Sequence, residues 1–281
     1  MALAPPRKQL TPEDVMVTNA SPTFSLMLHA APKVGKTFCA ATISEHYPKD
    51  EDVGKKWVSL DDVIWNSFDD DATIGLRANK INVPYELDFN RILALVGNAP
   101  AAMMELKRLN KELLRAHPEI KYLISDTDSG LDVIAENYAN NLQLSGWDKY
   151  REMRGIHFKN TTMAKDLRGE FQVSTIRLCH SKKESEETKT DIKLAARGTA
   201  DSVIIPALTG NSGTLYMRDV SGHFAVKKLK TPTGWKRSLV TLTSSVFDAG
   251  SRFEQFLNDE EPANLRLLRN KVLVHLLEKK E

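Results

Sequence analysis

Three polar groups in this chain have the residue types and spacing needed to bind a polyphosphate and act on it. The first is a Gly-Lys-Thr triplet, Gly35 to Thr37, which follows an apolar run and precedes small and apolar residues. The other two are Asp126 and His180, each of which ends a mostly apolar run. Lysine neutralises phosphate charge, threonine and aspartate oxygens can hold Mg²⁺, and a neutral imidazole can donate a hydrogen bond to a phosphate oxygen or water.

The stretch from residue 24 to residue 41 predicts a strand, a loop and a helix in that order, which is the context of a phosphate-binding loop, or P-loop. Backbone N–H groups would wrap the phosphates, helped by the partial positive charge of the helix N-terminus. The predicted nucleotide-binding residues are Ala31, Pro32, Lys33, Val34, Gly35, Lys36, Thr37 and Phe38. Ala30 replaces the glycine that usually opens the pattern, so the alternative is a surface turn that contains Gly-Lys-Thr.

Composition places the chain among ordinary globular proteins. Its 281 residues, 41% hydrophobic and 27% charged, permit one large α/β domain with appendages or two small domains. A net charge of +2 gives no global basic excess, so any nucleic-acid site would be a local patch. Cys39 and Cys179 fall in predicted buried elements, as reduced core residues of an intracellular protein would. No run has the length of a signal peptide core or a membrane span, so we expect a cytoplasmic protein.

Apolar periodicity predicts strands that alternate with helices. Strands are predicted at 56–60, 120–126 and 173–180, and helices at 88–117, divided near Pro100, and at 130–168. A polar loop is predicted at 181–190, and short strands at 202–208, 214–218 and 223–229, the last two forming a hairpin. This alternation predicts an α/β fold with a mainly parallel sheet, helices on both faces, and a ligand at the carboxyl ends of the strands.

The tail of the chain predicts a helix that begins near Pro262 and carries an apolar stripe. The stripe consists of Leu265, Leu268, Val272 and Leu276. Such a helix is marginal alone in water and must dock, either on this chain's own core or on a neighbouring subunit. The predicted division is an N-terminal arm at 1–20, an ATPase domain at 21–245, and a helical tail at 246–281.

With these blocks in this order, the chain resembles the RecA-like P-loop ATPases. More narrowly, it is similar to the phage-encoded nucleotide-binding AAA proteins, which include single-strand annealing ATPases. Residues 31–37, 123–127 and 178–184 carry the resemblance, which covers about residues 24–218. It implies a RecA-like fold, ATP and Mg²⁺, ATP hydrolysis, a homo-oligomer, and single-stranded DNA as a partner in recombination or annealing. The setting it implies is the cytoplasm of a phage-infected or prophage-carrying bacterium.

The resemblance also implies roles for individual residues. In the family, the strand after the P-loop helix ends in an acid that activates water; Asp61 and Asp62 match that position, although glutamate is common there. Asp128 competes for this role, and the two earlier aspartates could instead cap a turn. His180 occupies the position of the residue that senses the γ-phosphate, the alternative being a histidine satisfied by backbone. The predicted catalytic residues are Lys36, Asp126, Asp62, Asp61 and His180, and the predicted metal ligands are Thr37 and Asp126.

A basic segment from Lys227 to Arg237 is the best local candidate for binding DNA. Five cations flank a tryptophan there without an intervening acid, and single strands need both charge and aromatic faces. The predicted contacts are Lys227, Lys228, Lys230, Trp235, Lys236 and Arg237, with a solvated hairpin tip as the alternative. Lys193 and Arg197 could reach a phosphate in a neighbouring subunit. The competing functions are an NTPase or phosphotransferase without DNA, and a nucleotide-gated structural module.

Overall fold

The computed structural model describes residues 23–70, 72–183, 204–206, 220–231, 234–242 and 249–278. Several predicted features lie outside these ranges: the N-terminal arm, most of the polar loop at 181–190, Lys193, Arg197 and the strand at 214–218. No helix in the described ranges has the length and apolarity to cross a membrane. Cys39 and Cys179 are buried and neither forms a disulfide, as the sequence predicted.

The strands are β1 (Ser25–Ala30), β2 (Val58–Ser59), β3 (Val63–Ser67), β4 (Ile81–Asn82), β5 (Tyr85–Asp88), β6 (Tyr122–Asp126), β7 (Ser174–Lys183), β8 (Ile204–Pro206), β9 (Gly222–Thr231), β10 (Gly234–Val240), β11 (Gly250–Ser251) and β12 (Glu260–Pro262). The helices are α1 (Lys36–Ala41), α2 (Ile74–Ala78), α3 (Phe89–Val96), α4 (Ala99–Ala116), α5 (Asp128–Asn141), α6 (Gly146–Phe171) and α7 (Leu265–Glu278). The break between α3 and α4 falls beside Pro100, near the predicted division.

A mainly parallel sheet forms the centre of the fold, which confirms the predicted α/β class. Its parallel strands lie in the order β9-β1-β7-β6-β3-β5, and β10 and β12 continue it in antiparallel fashion beyond β9. The register pairs Ala30 with His180 and Asp126 with Leu178. The carboxyl ends of β1 and β6 therefore lie at one edge of the sheet, on either side of β7.

Helices cover both faces of this sheet because strand side chains alternate and both sets are apolar. On one face, Leu28 and Ile124 share a core with residues of α1, α2 and α7. On the other, Ile64 and Leu123 pack with residues of α3, α4, α5 and α6. These two layers of helices hold the central strands in place and so position the strand ends that carry the polar groups.

The C-terminal helix docks on this chain's own core, the first of the two predicted alternatives. Leu265, Leu268 and Val272 belong to the cluster that contains β1. The backbone N–H of Leu265 also donates to Thr42 Oγ1 at 2.8 Å, which attaches α7 to the end of α1. Pro262 belongs to β12 and not to the first turn of the helix.

Two other elements differ from the sequence prediction. Only Val58–Ser59 of the predicted strand at 56–60 is extended, and it pairs with β4 in a separate small sheet. The central strand is β3, in which every residue is buried. The predicted long helix at 130–168 is two helices, α5 and α6. The first strand of the predicted hairpin lies outside the described residues, in which β9 forms an antiparallel hairpin with β10.

Candidate functional site

The loop between β1 and α1 has the backbone of an anion cradle. Gly35 has φ 110° and ψ 32°, a left-handed conformation that favours glycine. The backbone N–H groups of Val34, Gly35 and Lys36 donate to no atom in the described part of the chain, so they are available to an anion. Ala30 is the last residue of β1, which explains why this position tolerates a side chain. Because α1 has only six residues, its macrodipole is small, and these N–H groups are the backbone's main partial positive charges at the cleft.

Lys36 lies inside the loop with its ammonium group held by local acceptors. Its side chain is only 6% exposed, and Nζ donates to Ala30 O at 3.1 Å, Ala31 O at 3.5 Å and His180 Nδ1 at 3.2 Å. Burial lowers the pKa of Lys36, and the charge of Asp126 opposes that shift. A phosphate could replace these weak neutral acceptors and would form stronger, charge-assisted hydrogen bonds.

The contact with Lys36 also defines the state of His180. An ammonium group only donates, so Nδ1 accepts and the proton of the neutral ring lies on Nε2. Burial, followed by the positive charge of Lys36, lowers the pKa of His180, so the ring is neutral near pH 7. His180 does not end its strand as predicted, since β7 continues to Lys183, but it lies level with the end of β1. It can therefore donate from Nε2 at the edge of the sheet.

Thr37 and Asp126 form the pair that could hold Mg²⁺. Thr37 Oγ1 donates to Asp126 Oδ2 at 3.0 Å, so two hard oxygen ligands converge beside the loop. Burial raises the pKa of Asp126 to about 7; the hydrogen bond from Thr37 opposes the shift, and the negative charge of Asp69 adds to it. Within the described ranges, no three His, Cys, Asp or Glu side chains group as a metal site. Phosphate oxygens and water would complete the shell, as is usual for Mg²⁺.

Asp69 is an acid in this cleft that the sequence reasoning did not select. It lies two residues beyond β3, next to the end of β6, where Phe68 N donates to Asp126 O at 2.7 Å. Thr127 Oγ1 donates to Asp69 Oδ2 at 2.8 Å and fixes its carboxylate. Gly130 permits this approach, because a Cβ there would lie 2.3 Å from Asp69 Oδ1. The acidic turn after Val63–Ser67 was the available signal.

The predicted catalytic roles of Asp61 and Asp62 need correction, because both residues precede β3 and lie at its amino end. Asp62 is buried and accepts hydrogen bonds from Ser44 Oγ at 2.5 Å and from Glu45 N at 2.9 Å. Asp61 is exposed and accepts from Ser59 Oγ at 2.6 Å. The error followed from the strand assignment: the central strand begins after these residues, so its carboxyl end lies at Asp69.

Asp128, the competing candidate for the base, points into the protein and not into the cleft. It is fully buried, with Asn160 Nδ2 donating to Oδ1 at 3.0 Å. Arg177 Nη1 lies 3.7 Å from Asp128 Oδ2, so the carboxylate joins β7 to α5. Burial raises the pKa of Asp128, whereas Arg177 lowers it. These contacts indicate a structural role.

The basic segment is split between two environments. The structure describes the side chains of Lys227, Lys228, Lys230, Lys236 and Arg237, whereas the side chain of Trp235 lies outside the description. Lys227 forms an ion pair with Glu260, which reduces its free charge. Arg237 is placed at the P-loop, where Nε donates to Val34 O at 3.0 Å. Arg237 therefore lies beside the P-loop and not in the solvated hairpin tip that was the alternative, and its contact with DNA stays a prediction.

All the groups described at the sheet edge border one cleft of about 330 Å³. It is lined by the loop residues Lys33, Gly35, Lys36, Thr37 and Phe38, and by Asp69, Asp126, Thr127, His180 and Arg237. A volume above about 300 Å³ is in the ordinary range for a small-molecule site. The cleft therefore combines cations, a carboxylate–hydroxyl pair that could hold a metal ion, and a further carboxylate that could accept a proton, around a backbone anion cradle.

Comparisons with known proteins give little beyond this geometry. No protein-family model matches the chain, and no curated protein matches it. One similar solved structure is a KaiC-like protein from the hyperthermophilic archaeon Pyrococcus horikoshii OT3, with 14% identity, coverage of 77% of each chain and a TM-score of 0.38. We draw no functional conclusion from that likeness; the contacts described above define the site.

Proposed function

We propose that this protein is a P-loop ATPase that binds ATP with Mg²⁺ and hydrolyses it to ADP and phosphate. One observation carries the proposal: Lys36, the Thr37–Asp126 pair, Asp69 and His180 border the same cleft, although they come from four separate segments of the chain. A surface turn with a chance Gly-Lys-Thr triplet would not bring a buried acid and a neutral histidine to its side.

The proposed chemistry follows from the position of each group. The loop N–H groups and Lys36 bind the phosphate chain, and Thr37 and Asp126 would hold Mg²⁺, which would supply charge neutralisation to the phosphates. Asp69 orients a water molecule and takes its proton as the water oxygen attacks the γ-phosphorus. The bond to the bridging oxygen breaks, and ADP leaves. His180 Nε2 donates to a γ-phosphate oxygen.

The order of the strands supports the RecA-like interpretation. The strand that carries His180, β7, lies between the P-loop strand β1 and the strand β6 that carries Asp126. A residue on β7 is therefore flanked by both the phosphate-binding and the metal-binding groups. The sequence resemblance implied such a sensing position.

Asparagine at Asp69 tests the hydrolytic part of the proposal. Asp69→Asn preserves size and the contact with Thr127 but removes the base, so ATP turnover should fall by about 10²- to 10⁴-fold. Nucleotide affinity should change by only a few-fold. The matched control is Asp70→Asn, at the adjacent exposed residue that accepts from Asn90 Nδ2, and it should leave turnover unchanged. Normal turnover in Asp69→Asn would exclude Asp69 as the base.

A second candidate function, ATP-regulated binding of single-stranded DNA, is favoured by the hairpin of β9 and β10. Lys228 lies directly opposite Arg237 and thus on the same face, and Lys230 follows two residues later. Cations on this face would connect a bound phosphate backbone to the P-loop. The affinity for an oligonucleotide should fall with salt and differ with and without ATP. If the affinity for the oligonucleotide is the same with and without ATP and does not depend on salt, the DNA-binding role is excluded. An NTPase or a structural module without DNA would then remain. A phage origin, strand annealing and a homo-oligomer stay predictions.

A further inference from the structure

Arg237 reaches the P-loop from a strand that is distant in sequence. It lies on β10, separated from the P-loop strand by β9. Its Nε donates to Val34 O at 3.0 Å, and its guanidinium carbon lies 5.6 Å from the centre of the Phe38 ring. A Cβ at Gly35 would lie 2.3 Å from this Nε. The glycine of the loop thus provides the room that Arg237 occupies.

The contacts of Arg237 leave most of its hydrogen-bonding capacity unused. In the described part of the chain, only Nε donates a hydrogen bond, and no acid forms an ion pair with the guanidinium. The Val34 carbonyl and the Phe38 ring orient the side chain but do not neutralise its charge. Its two Nη groups form a planar fork of the kind that binds phosphate in a bidentate manner. An uncompensated donor fork therefore borders a cleft that has the features of a phosphate site.

The order of the strands determines which end of a nucleotide this fork would meet. Along the sheet, β10 and β9 lie on one side of β1, and β7 and β6 lie on the other. His180 and Asp126, which belong with the γ-phosphate and the metal ion, are on the β7 and β6 side. If the γ-phosphate of a bound triphosphate lies on the β7 and β6 side, its α-phosphate and nucleoside lie on the β9 and β10 side. Lys36 and Arg237 then hold the chain from opposite sides.

We propose that Arg237 is a phosphate ligand supplied within the same chain, which binds the α- and β-phosphates of the nucleotide at the nucleoside end of the cleft. This inference rests on the proposed function and extends it. Arg237 is a nucleotide-binding residue for ADP as well as ATP, and its contact does not involve the γ-phosphate. In the absence of nucleotide, the bond to Val34 O keeps the side chain in place.

Calorimetric titration of ADP and ATP into Arg237→Ala, in the full-length protein, tests the assignment. Loss of a charge-assisted contact should weaken both nucleotides by a similar factor, about 10- to 100-fold. Arg237→Lys keeps the charge without the fork and should fall between the wild type and Arg237→Ala. The matched control is Lys236→Ala, at an exposed residue on the opposite face of β10, and it should change either affinity by less than about two-fold.

Two results would overturn the assignment. A loss confined to ATP would place Arg237 at the γ-phosphate, and unchanged affinities would reduce it to a packing contact for the loop. Arg237→Gln separates binding from loop support, because its amide can still donate to Val34 O. Full affinity in Arg237→Gln would contradict a charge-based role. If Lys36→Ala also binds both nucleotides normally, the proposed function itself fails; if only the Arg237 variants bind normally, this inference alone fails.

Discussion

Replacing Asp126 with asparagine should stabilise the metal-free protein and abolish the proposed Mg²⁺-dependent hydrolysis of ATP. Asp126 is 2% exposed, and burial raises its pKa from 3.8 to about 7, so the ionised form is costly in the folded state. Asparagine has nearly the same shape, keeps an acceptor for Thr37 Oγ1, and carries no charge. It cannot replace an anionic ligand of Mg²⁺.

The size and pH dependence of this effect follow from linkage. A rise in the pKa of Asp126 from 3.8 to about 7 corresponds to about 4 kcal/mol in the free energy of unfolding. Because the folded-state pKa is raised, the native protein holds the extra proton between about pH 4 and pH 7. The wild type therefore loses about 1.4 kcal/mol per pH unit across that window as pH rises. The variant avoids this loss, so its relative stability increases up to about pH 7 and then levels off.

Urea denaturation of both proteins at pH 5 and pH 8, without Mg²⁺, measures the effect. The stability difference in favour of Asp126→Asn should grow by about 2 to 3 kcal/mol between these pH values. The control is Asp61→Asn, at an exposed carboxyl at the other edge of the sheet, and it should show no such growth. With Mg²⁺ and ATP, only the wild type should hydrolyse ATP. A stability difference that is the same at both pH values would refute the burial argument.

Three further changes give defined outcomes. Leu268→Ala, at a core residue that is 5% exposed, should lower the free energy of unfolding in urea by about 2 to 5 kcal/mol. Leu267→Ala, at a residue 55% exposed on the same helix, should lower it by less than about 0.5 kcal/mol, and equal losses would contradict the docking of α7. Gly35→Ala should weaken ATP binding in a titration, because the added Cβ would clash with Arg237 and the residue would keep a strained positive φ. The control Gly97→Ala, at φ 89° with no neighbouring atom near the added Cβ, should lower stability only. Normal ATP binding by Gly35→Ala would count against the loop geometry. His180→Ala should lower turnover by about 10²-fold with little change in ATP affinity, as expected for a donor to the γ-phosphate; an unchanged rate in a steady-state assay would leave His180 without that role.

The sequence predicted the parts of the site that depend on local pattern. The P-loop triplet follows an apolar strand, Asp126 ends another, and His180 lies in a third at the level where β1 ends, so the parallel sheet brings the three to one edge. Asp69 was missed because two short apolar runs, at 56–60 and 63–65, compete for the same central strand. In the structure the second run forms the central strand, because all its residues are buried between the two helical layers. Burial on both faces depends on packing, which the sequence does not show.

Long-range contacts were beyond the reach of the sequence. Arg237 looked like one of five similar cations, and its contact with Val34 spans 203 residues, so no spacing rule could indicate it. The sequence left open whether α7 docks on this chain or on a neighbouring subunit. In the structure, α7 packs into the apolar cluster that contains β1.

The most direct test of the central claim is a calorimetric titration of ATP into the wild type and Lys36→Ala, each with Mg²⁺ and with a chelator. The wild type should bind ATP, and its affinity should depend on Mg²⁺. Lys36→Ala should lose most of that affinity, because the loop would then lack the buried cation that forms charge-assisted hydrogen bonds with the phosphates. Thermal denaturation should first show that the variant is folded. Equal ATP binding by a folded Lys36→Ala protein would contradict the assignment of this cleft as a nucleotide site.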